Sequence, residues 1–397
     1  MPLHFPQGFR GAGVYCGVKS DPAKEDLSLI VSDRPCVGVG VYTQNLIRAA
    51  AVDWNQSRTP QGDARLVVVN SGNANACTGQ RGAADTAEMA RVAAECVGSA
   101  ADNSLVLSTG IIGEHLPMEK VTAGIRDAAS RLDDSEEALI ATARGMMTTD
   151  TVHKLRGREI ELDGASVRVT GIAKGAAMIG PNMATMLAVV MTDAAVSTQD
   201  AQDALTDAVD ESFNCISVDG HSSTNDTVLL LANGAAGAPP VAGRALSHFR
   251  ATVLEVCEDL AQSIPADGEG ATHLITIEVH GCRSRPEAVQ IARTVANSPL
   301  VKTAITGADP NWGRIVSAAG YAGVDFDASQ VTLLINGLLV YEHGAPVPFD
   351  AEAVSASIRD NHDCGILLLF AEGSAAGRFW TTDLTAEYVR LNAEYHT

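Results

Sequence analysis

Thr185 has surroundings that suit nucleophilic chemistry, because it stands where an irregular loop meets a buried strand. The stretch that contains it, from Lys174 to Leu187, has the sequence KGAAMIGPNMATML, and its glycines and proline break regular structure. The apolar run at 186–191 then predicts a buried strand. A loop held by such a strand could bring the Thr185 hydroxyl against the carbonyl of Ala184. The peptide bond would then shift to an ester that water can hydrolyse.

Cleavage at that bond would leave Thr185 as a new N-terminus. A free α-amine has an ordinary pKa of about 7.7–8.0 and can act as the base for the hydroxyl of the same residue. Such a threonine carries both its nucleophile and its base. A threonine that merely begins a strand is the commoner arrangement, and the residues of this stretch alone leave both interpretations open.

Polar residues next to predicted strands could form the rest of a site. Thr109 and Gly110 follow a predicted strand at 104–107, and the backbone N–H of such a glycine can stabilise a developing oxyanion. A plain turn explains the same pair. Lys174 could attract an anionic substrate to an otherwise acidic chain.

A predicted loop at 219–227 carries Asp219, His221 and Asp226, which could suggest a hydrolytic cluster. No spacing in it fixes a nucleophile–histidine–acid order, so a hydrogen-bonded loop is favoured. Thr148 at a predicted helix end is typical of a cap. A lone acid between glycines, such as Glu269, is usually solvent-facing.

The composition excludes several classes of protein. The chain has 397 residues, a hydrophobic content of 46% and a formal net charge of −20, which predicts a folded acidic protein that repels nucleic acid and anionic membranes. Its eight cysteines form no CxxC pair and none stands with histidine at zinc spacing, so we expect reduced thiols and no metal site. No membrane span or signal peptide is recognisable, and we expect a cytoplasmic protein.

Strand and helix patterns alternate along the chain, which favours a mixed α and β fold. Two separate strands are predicted at 27–31 and 37–42. Asp-Gly at 163–164 and Asn-Gly at 336–337 predict the turns of two β-hairpins. From about residue 284 the order of elements changes, which indicates a smaller C-terminal domain over about 284–397.

Several stretches together resemble the ornithine acetyltransferase family, the glutamate N-acetyltransferases of arginine biosynthesis. KGAAMIGPNMATML is similar to the self-processing site of that family. The other similar stretches, in the same order as in the family, include PQGFRGAG at 6–13, STG at 108–110, MTTD at 147–150, DGEGATH at 267–273, ADPNWGR at 308–314 and LNAEYHT at 391–397. The chain departs from the family at His273, where the family usually has a lysine.

The resemblance implies an α+β fold, an α-β-β-α sandwich of the self-processing aminopeptidase and ornithine acetyltransferase type with a smaller C-terminal α/β domain. The sandwich would take up about 1–283. Cleavage between Ala184 and Thr185 would give an alpha chain, 1–184, and a beta chain, 185–397. The two would stay associated, and by analogy two alpha and two beta chains would form a heterotetramer.

The resemblance also implies roles for individual residues. Thr185 would be the nucleophile, and Thr109 and Gly110 would form the oxyanion hole. The substrate contacts of the family fall on Thr185 itself and on Thr148, Lys174, Glu269, Asn392 and Thr397. No cofactor is implied, although acetyl-CoA could serve as an additional substrate.

The implied function is transfer of an acetyl group from N2-acetyl-L-ornithine to L-glutamate through an acetyl-threonine, in cyclic arginine biosynthesis. Two alternatives remain. An N-terminal-nucleophile aminopeptidase or amidase of the same fold would pass the acyl group to water. A non-catalytic binding protein that kept the fold would stay uncut and exchange no acetyl groups.

Overall fold

Alternating strands and helices build two sheets, with helices packed against them. The computed structural model of the protein describes residues 3–180 and 186–394. The predicted cleavage pair, Ala184 and Thr185, and the predicted substrate contact Thr397 lie outside the described residues.

The strands of the described ranges are, in chain order, β1 (Phe9–Val14), β2 (Leu27–Tyr42), β3 (Gln61–Asn73), β4 (Ser104–Ile111), β5 (Lys154–Leu162), β6 (Ala165–Lys174), β7 (Leu187–Thr192), β8 (Ile216–Ser217), β9 (Thr227–Ala232), β10 (Leu274–Cys282), β11 (Thr332–Ile335), β12 (Leu338–Glu342), β13 (Ala345–Pro346), β14 (Asp363–Leu369) and β15 (Ala375–Thr382).

The α-helices of the same ranges are α1 (Ala50–Gln56), α2 (Gly79–Val97), α3 (Met118–Ser130), α4 (Glu136–Arg144), α5 (Thr198–Glu211), α6 (Gly243–Ala266), α7 (Arg285–Ala296), α8 (Pro299–Thr306), α9 (Trp312–Gly320), α10 (Ala351–Arg359) and α11 (Ala386–Glu394). In the described part of the chain, no helix has the length and apolarity needed to cross a membrane.

The larger sheet, sheet A, joins strands from both sides of the predicted cleavage bond. Its order is β4-β3-β2-β9-β7-β6-β5, and β1 pairs with β2. β7 follows the bond in the chain and lies between β6 and β9 in the sheet. β6, which precedes the bond, is antiparallel to β7, and β9 is parallel to β7. Lys174 pairs with Leu187, so the last residue of β6 lies beside the first residue of β7.

The smaller sheet, sheet B, has the order β13-β12-β11-β14-β10-β15-β8. Its central strand β10 is parallel to β14 and antiparallel to β15, and β8 adds at one edge from much earlier in the chain. Sheet B therefore draws strands from both sides of residue 284. The division into domains at that point remains a prediction.

A continuous apolar core joins the two sheets. The central strands of sheet A are buried at every position from Leu187 to Thr192 and from Thr227 to Ala232, which is typical of strands covered on both faces. α6 packs against β5 and β6 of sheet A and against β8 and β15 of sheet B. α6 thereby fixes β5 and β6 of sheet A relative to sheet B.

The predicted α+β fold class and both predicted hairpins are confirmed. The prediction of two strands at 27–31 and 37–42 is wrong, because β2 is one strand from Leu27 to Tyr42. Its pairing with β3 shifts register between Val31 and Cys36, where the exposed Asp-Arg-Pro sequence bulges out. Beyond the bulge β2 also pairs with β9, so the strand continues through the gap between the two predicted strands.

Candidate active site

One cavity, of about 250 Å³, collects side chains that are distant in sequence. Six residues for which the resemblance implied roles line it: Thr109, Gly110, Thr148, Lys174, Glu269 and Asn392. The remaining lining residues are Thr149, Ala177, Met178, Asp219, His221 and Tyr388. The structure thus brings together every predicted site residue that lies in the described ranges, while the chemical role of each remains a prediction.

Thr109 and Gly110 lie near the end of β4 rather than in a turn after it. Gly110 has a φ of +133°, and a Cβ built on it would lie 2.2 Å from the backbone carbon of Gly72 and 2.4 Å from the backbone nitrogen of Asn73. Only glycine can bring these two strands so close in this conformation. The backbone at the end of β4 is therefore held rigidly where it borders the cavity.

Lys174 is the last residue of β6, and its side chain is buried beside the cavity. Its Nζ donates to Thr109 Oγ1 at 3.2 Å. Burial lowers the pKa of Lys174, while the nearby Asp150 carboxylate acts in the opposite direction. Because an ammonium can only donate, the Thr109 oxygen is the acceptor in this bond, and the Thr109 hydrogen stays available for another acceptor.

A buried ion cluster supports this side of the cavity. Lys154 Nζ lies 2.7 Å from a carboxylate oxygen of Asp150 and 2.7 Å from one of Asp267. Burial by itself would raise the pKa of Asp150, but the charges of Lys154 and Lys174 outweigh it and lower this pKa to about 2. Asp150 is therefore a carboxylate at neutral pH.

The Asp150 carboxylate positions two neighbours of the cavity. It accepts a hydrogen bond from the backbone N–H of Gly175 at 2.7 Å and one from the backbone N–H of Thr148 at 3.1 Å. The first bond fixes the backbone directly after Lys174, and the second fixes the first threonine of the MTTD stretch. Sequence reasoning did not identify this cluster.

Asp219 holds two loop segments of the cavity together, at residues 178–179 and at residue 221. Its carboxylate accepts from the backbone N–H groups of Met178 at 2.6 Å and Ile179 at 2.9 Å, and from the N–H of His221 at 3.1 Å. These contacts match the hydrogen-bonded loop favoured from the sequence. Asp219 and His221 nevertheless both line the cavity, although the sequence favoured a hydrogen-bonded loop over a cluster at a site.

α11 folds back from the C-terminal end over the cavity. Asn392 Nδ2 donates to Glu269 Oε2 at 2.8 Å, and Tyr388 Oη donates to Asp219 at 3.2 Å. The carboxylates of Asp219 and Glu269 also contribute, after burial, to raising the pKa of the Tyr388 hydroxyl. This wall of the cavity is therefore anionic and partly contributed by a helix.

Asp226 is fully buried directly beside the residue that follows the predicted nucleophile. Its Oδ1 accepts from the backbone N–H of Met186 at 3.1 Å. Its Oδ2 is buried without a hydrogen-bond partner among the residues that the structure describes. Burial raises the pKa of Asp226 well above its ordinary value, although the Met186 N–H lowers it in part. Burial and the unpartnered oxygen therefore favour the protonated form of this carboxyl group.

His273, the departure from the family pattern, does not line the cavity. Its Nδ1 lies 3.2 Å from Asp383 Oδ2 and its Nε2 lies 3.2 Å from the carbonyl oxygen of Ile358. The side chain is buried directly before the start of β10. The histidine therefore leaves the charge of the cavity wall unchanged.

In the described ranges, no group of three or more His, Cys, Asp or Glu side chains could hold a metal ion.

Comparison with known proteins gives a consistent result. The profile of the ArgJ family matches residues 10–397. The arginine biosynthesis bifunctional protein ArgJ of Rhodopirellula baltica is 45% identical over 395 residues, which cover 99% of this chain and 96% of that relative. The protein of the same name from Symbiobacterium thermophilum is 46% identical over 396 residues, which cover 99% of this chain and 98% of the relative.

A solved structure is similar as well. A crystal structure of the arginine biosynthesis bifunctional protein ArgJ from Bacillus halodurans has a TM-score of 0.50 and 38% sequence identity. The match covers 51% of this chain and 96% of the Bacillus halodurans chain. That solved chain is therefore about half as long as this one.

Proposed function

The chain belongs to the ArgJ family, and from that premise we propose that it transfers an acetyl group from N2-acetyl-L-ornithine to L-glutamate through an acetyl ester on Thr185. The chain is an acyltransferase of arginine biosynthesis. One observation carries the detailed proposal: a single cavity gathers the six described residues to which the resemblance gave roles.

We propose that the chain first cuts itself between Ala184 and Thr185. The half-length of the solved Bacillus halodurans chain is what one cleavage fragment would give, and it supports this step. The pairing of β7 with β6 and β9 would keep the fragments 1–184 and 185–397 in one sheet after the cut. Assembly of two such pairs into a heterotetramer is a further part of the proposal.

Asp226 is suited to assist the cut. When the Thr185 hydroxyl attacks the Ala184 carbonyl, the oxygen loses a proton and the departing amide nitrogen gains one. A buried carboxyl with a raised pKa and an oxygen that has no hydrogen-bond partner among the described residues can, in its protonated form, donate that proton and take up the other. Asp226 is held close to Thr185, because its carboxyl group accepts a hydrogen bond from the backbone N–H of Met186, the residue that follows Thr185. Water then hydrolyses the ester and frees the Thr185 amine.

In the transfer reaction, Thr185 Oγ attacks the acetyl carbonyl while the Thr185 amine takes its proton. The Thr109 hydroxyl, oriented by Lys174, and the Gly110 backbone stabilise the oxyanion. Ornithine leaves with a proton on its α-nitrogen. The α-amine of glutamate then attacks the ester and restores the Thr185 hydroxyl. Lys174 suits a substrate carboxylate and Glu269 suits the ornithine ammonium.

Replacement of the nucleophile tests the proposal. Thr185→Ala protein should migrate as one uncut chain and transfer no acetyl group, because both steps need the hydroxyl. N-terminal sequencing and an acetylornithine–glutamate assay measure the two outcomes. A protein that still splits before residue 185, or still transfers, contradicts the assignment. Asp226→Asn should cut more slowly but still transfer once cut; unchanged cutting would remove its role.

The acceptor separates transfer from hydrolysis. With glutamate present the product should be N-acetylglutamate, whereas an amidase would release acetate whether or not glutamate is added. The relatives are named bifunctional, which supports a second activity. Acetyl-CoA as an additional donor for glutamate is our proposal for that activity, and the same assay with acetyl-CoA alone as donor tests it.

A further inference from the structure

A second cavity adjoins the first and carries the opposite charge. It has a volume of about 460 Å³ and shares the lining residues Thr148 and Thr149 with the first cavity, so the two cavities adjoin at these residues. Its cationic lining residues are Lys19, Lys24 and Arg144. Such a concentration of positive charge stands out in a chain whose net charge is −20.

The acidic groups of this second cavity, which we call the cationic cleft, do not cancel its charge. They are Glu25 and Asp150, and Asp150 is already paired with Lys154 at 2.7 Å. Over the described ranges, neither Lys24 nor Arg144 forms an ion pair. The cleft therefore keeps an excess of positive charge next to the first cavity.

The distribution of lysines points the same way. The chain contains six lysines: Lys19, Lys24, Lys120, Lys154, Lys174 and Lys302. The first two line the cationic cleft, Lys174 lines the first cavity, and Lys154 supports both through Asp150. Lysines are rare here, and most of them stand around these two adjoining spaces.

The loop that presents Lys19 is built rather than loose. The Asp26 carboxylate accepts four consecutive backbone N–H groups, from Cys16 at 2.6 Å, Gly17 at 3.0 Å, Val18 at 2.7 Å and Lys19 at 3.0 Å. The Lys19 ammonium itself donates to the carbonyl oxygen of Glu25 at 2.6 Å. Burial, together with the charges of Lys24 and Lys174, lowers the pKa of Lys19 to about 8, although the Asp26 and Asp150 carboxylates act in the opposite direction. A bound anion would reduce the electrostatic repulsion between these lysines.

The two amino acids of the proposed reaction end in opposite charges. The wall of the first cavity that carries Asp219 and Glu269 suits the side-chain ammonium of ornithine and repels the side-chain carboxylate of glutamate. We propose that the cationic cleft, through Lys19 and Arg144, binds the side-chain carboxylate of the glutamate acceptor. The inference rests on the proposed function and deepens it, because it divides the specificity of one nucleophile between two neighbouring subsites.

The arrangement fits a reaction in two halves. Ornithine leaves toward the anionic wall, and glutamate enters with its side chain across the Thr148–Thr149 edge. Arginine can hold a carboxylate through two parallel hydrogen bonds, and lysine adds a point charge. Glutamate would thus be preferred over glutamine, which has the same shape and no charge.

Separate measurement of the two half-reactions tests this division. Exchange of labelled ornithine with N-acetylornithine needs no glutamate, whereas acetyl transfer to glutamate or glutamine reports on the acceptor. Lys19→Met and Arg144→Gln should each raise the KM for glutamate by about tenfold or more, the loss expected for one charge-assisted hydrogen bond. They should also reduce the preference for glutamate over glutamine and leave ornithine exchange unchanged. Arg126→Gln, an exposed arginine of α3 outside both cavities, is the matched control.

Each other outcome decides against the inference. If the variants slow ornithine exchange and glutamate transfer equally, or match the control, the cleft does not select the acceptor. If they raise only the KM for acetyl-CoA, the cleft binds the phosphates of a donor instead. Wild-type protein that exchanges ornithine while the variants keep a normal glutamate preference refutes only this inference. Wild-type protein without exchange refutes the proposed function itself.

Discussion

The two walls of the first cavity are built in different ways. The wall formed by β4, β6 and the segment before β5 holds buried charges that satisfy one another, above all Lys154 between Asp150 and Asp267. We call this the sheet wall. The opposite wall, the helix wall, includes Tyr388 and Asn392 of α11, a helix in which no residue is buried. In the proposed reaction, the oxyanion donors Thr109 and Gly110 are anchored in the sheet, whereas the proposed ornithine contacts Glu269 and Asn392 are attached by a few hydrogen bonds.

This difference has an energetic basis. Charges at the sheet wall are stable only as a set, since an unpaired buried charge is costly to the fold. The helix wall can lose one contact and keep its shape, because its polar atoms remain accessible to water. Mutations should therefore separate the walls by whether they reduce stability and rate together or substrate binding alone.

Removal of the central cation of the sheet wall should have the largest effect. Lys154→Met leaves the buried Asp150 and the nearly buried Asp267 without their partner, which typically costs about 3–5 kcal/mol. We expect a lower melting temperature and loss of activity together, measured by thermal unfolding and by acetyl transfer. Lys120→Met, at an exposed lysine of α3, should change neither. Equal melting temperatures for the two variants would show that the cluster does not stabilise this wall.

Close packing at the end of β4 should give the next effect. In Gly110→Ala the new Cβ would meet the backbone of Gly72 at 2.2 Å, so β3 and β4 must separate and the proposed oxyanion donors would move. A misplaced donor typically lowers the rate by about 10²–10³-fold. Gly113→Ala is the control, because Gly113 also has a positive φ but its Cβ would meet nothing within 4 Å. If both variants lose kcat equally, the loss arises from the positive φ that the two positions share and not from the close approach of β3 and β4.

Glu269→Gln should affect binding and not stability. The substitution removes one charge while an oxygen remains to accept from Asn392. Loss of a hydrogen bond to a charged group costs about 1.5–3 kcal/mol, so the KM for N-acetylornithine should rise by at least about tenfold. The KM for glutamate should stay the same or fall, because a repelling charge is gone. Parallel rises in both KM values would contradict a role specific to ornithine.

Tyr388→Phe should give the smallest effect. The Asp219 carboxylate keeps its bonds from Met178 and Ile179 when the Tyr388 hydroxyl is lost. A single hydrogen bond contributes about 0.5–1.5 kcal/mol, so KM should change by at most about tenfold with an unchanged melting temperature. A large drop in melting temperature would show that α11 stabilises the fold as the sheet wall does, and the contrast between the walls would fail.

The sequence predicts the wall residues unequally. Local patterns found β7 and both hairpins, because apolar runs and Asx-Gly turns act over a few residues. Glu269 and Asn392 came only from the resemblance to a family. Their hydrogen bond joins residues 123 positions apart, and no local pattern encodes such a contact.

The buried ion cluster escaped prediction for a physical reason. Lysine and aspartate are almost never fully buried unless they are paired, so Lys154 and Asp150 look like surface charges in a polar stretch. Their burial depends on Asp267, which lies 113 residues further along the chain from Lys154. The continuous course of β2 was missed for a similar reason, since β9, its partner beyond the bulge, is distant in sequence.

The position of β7 between β6 and β9 has a consequence for the life of the molecule. Scission before residue 185 would turn one polypeptide into two that share a sheet, so refolding after denaturation would need two molecules to meet. Its rate would then depend on concentration, while the precursor folds by itself. The finished enzyme would persist through a high barrier to unfolding, and each copy would have to be folded before it is cut.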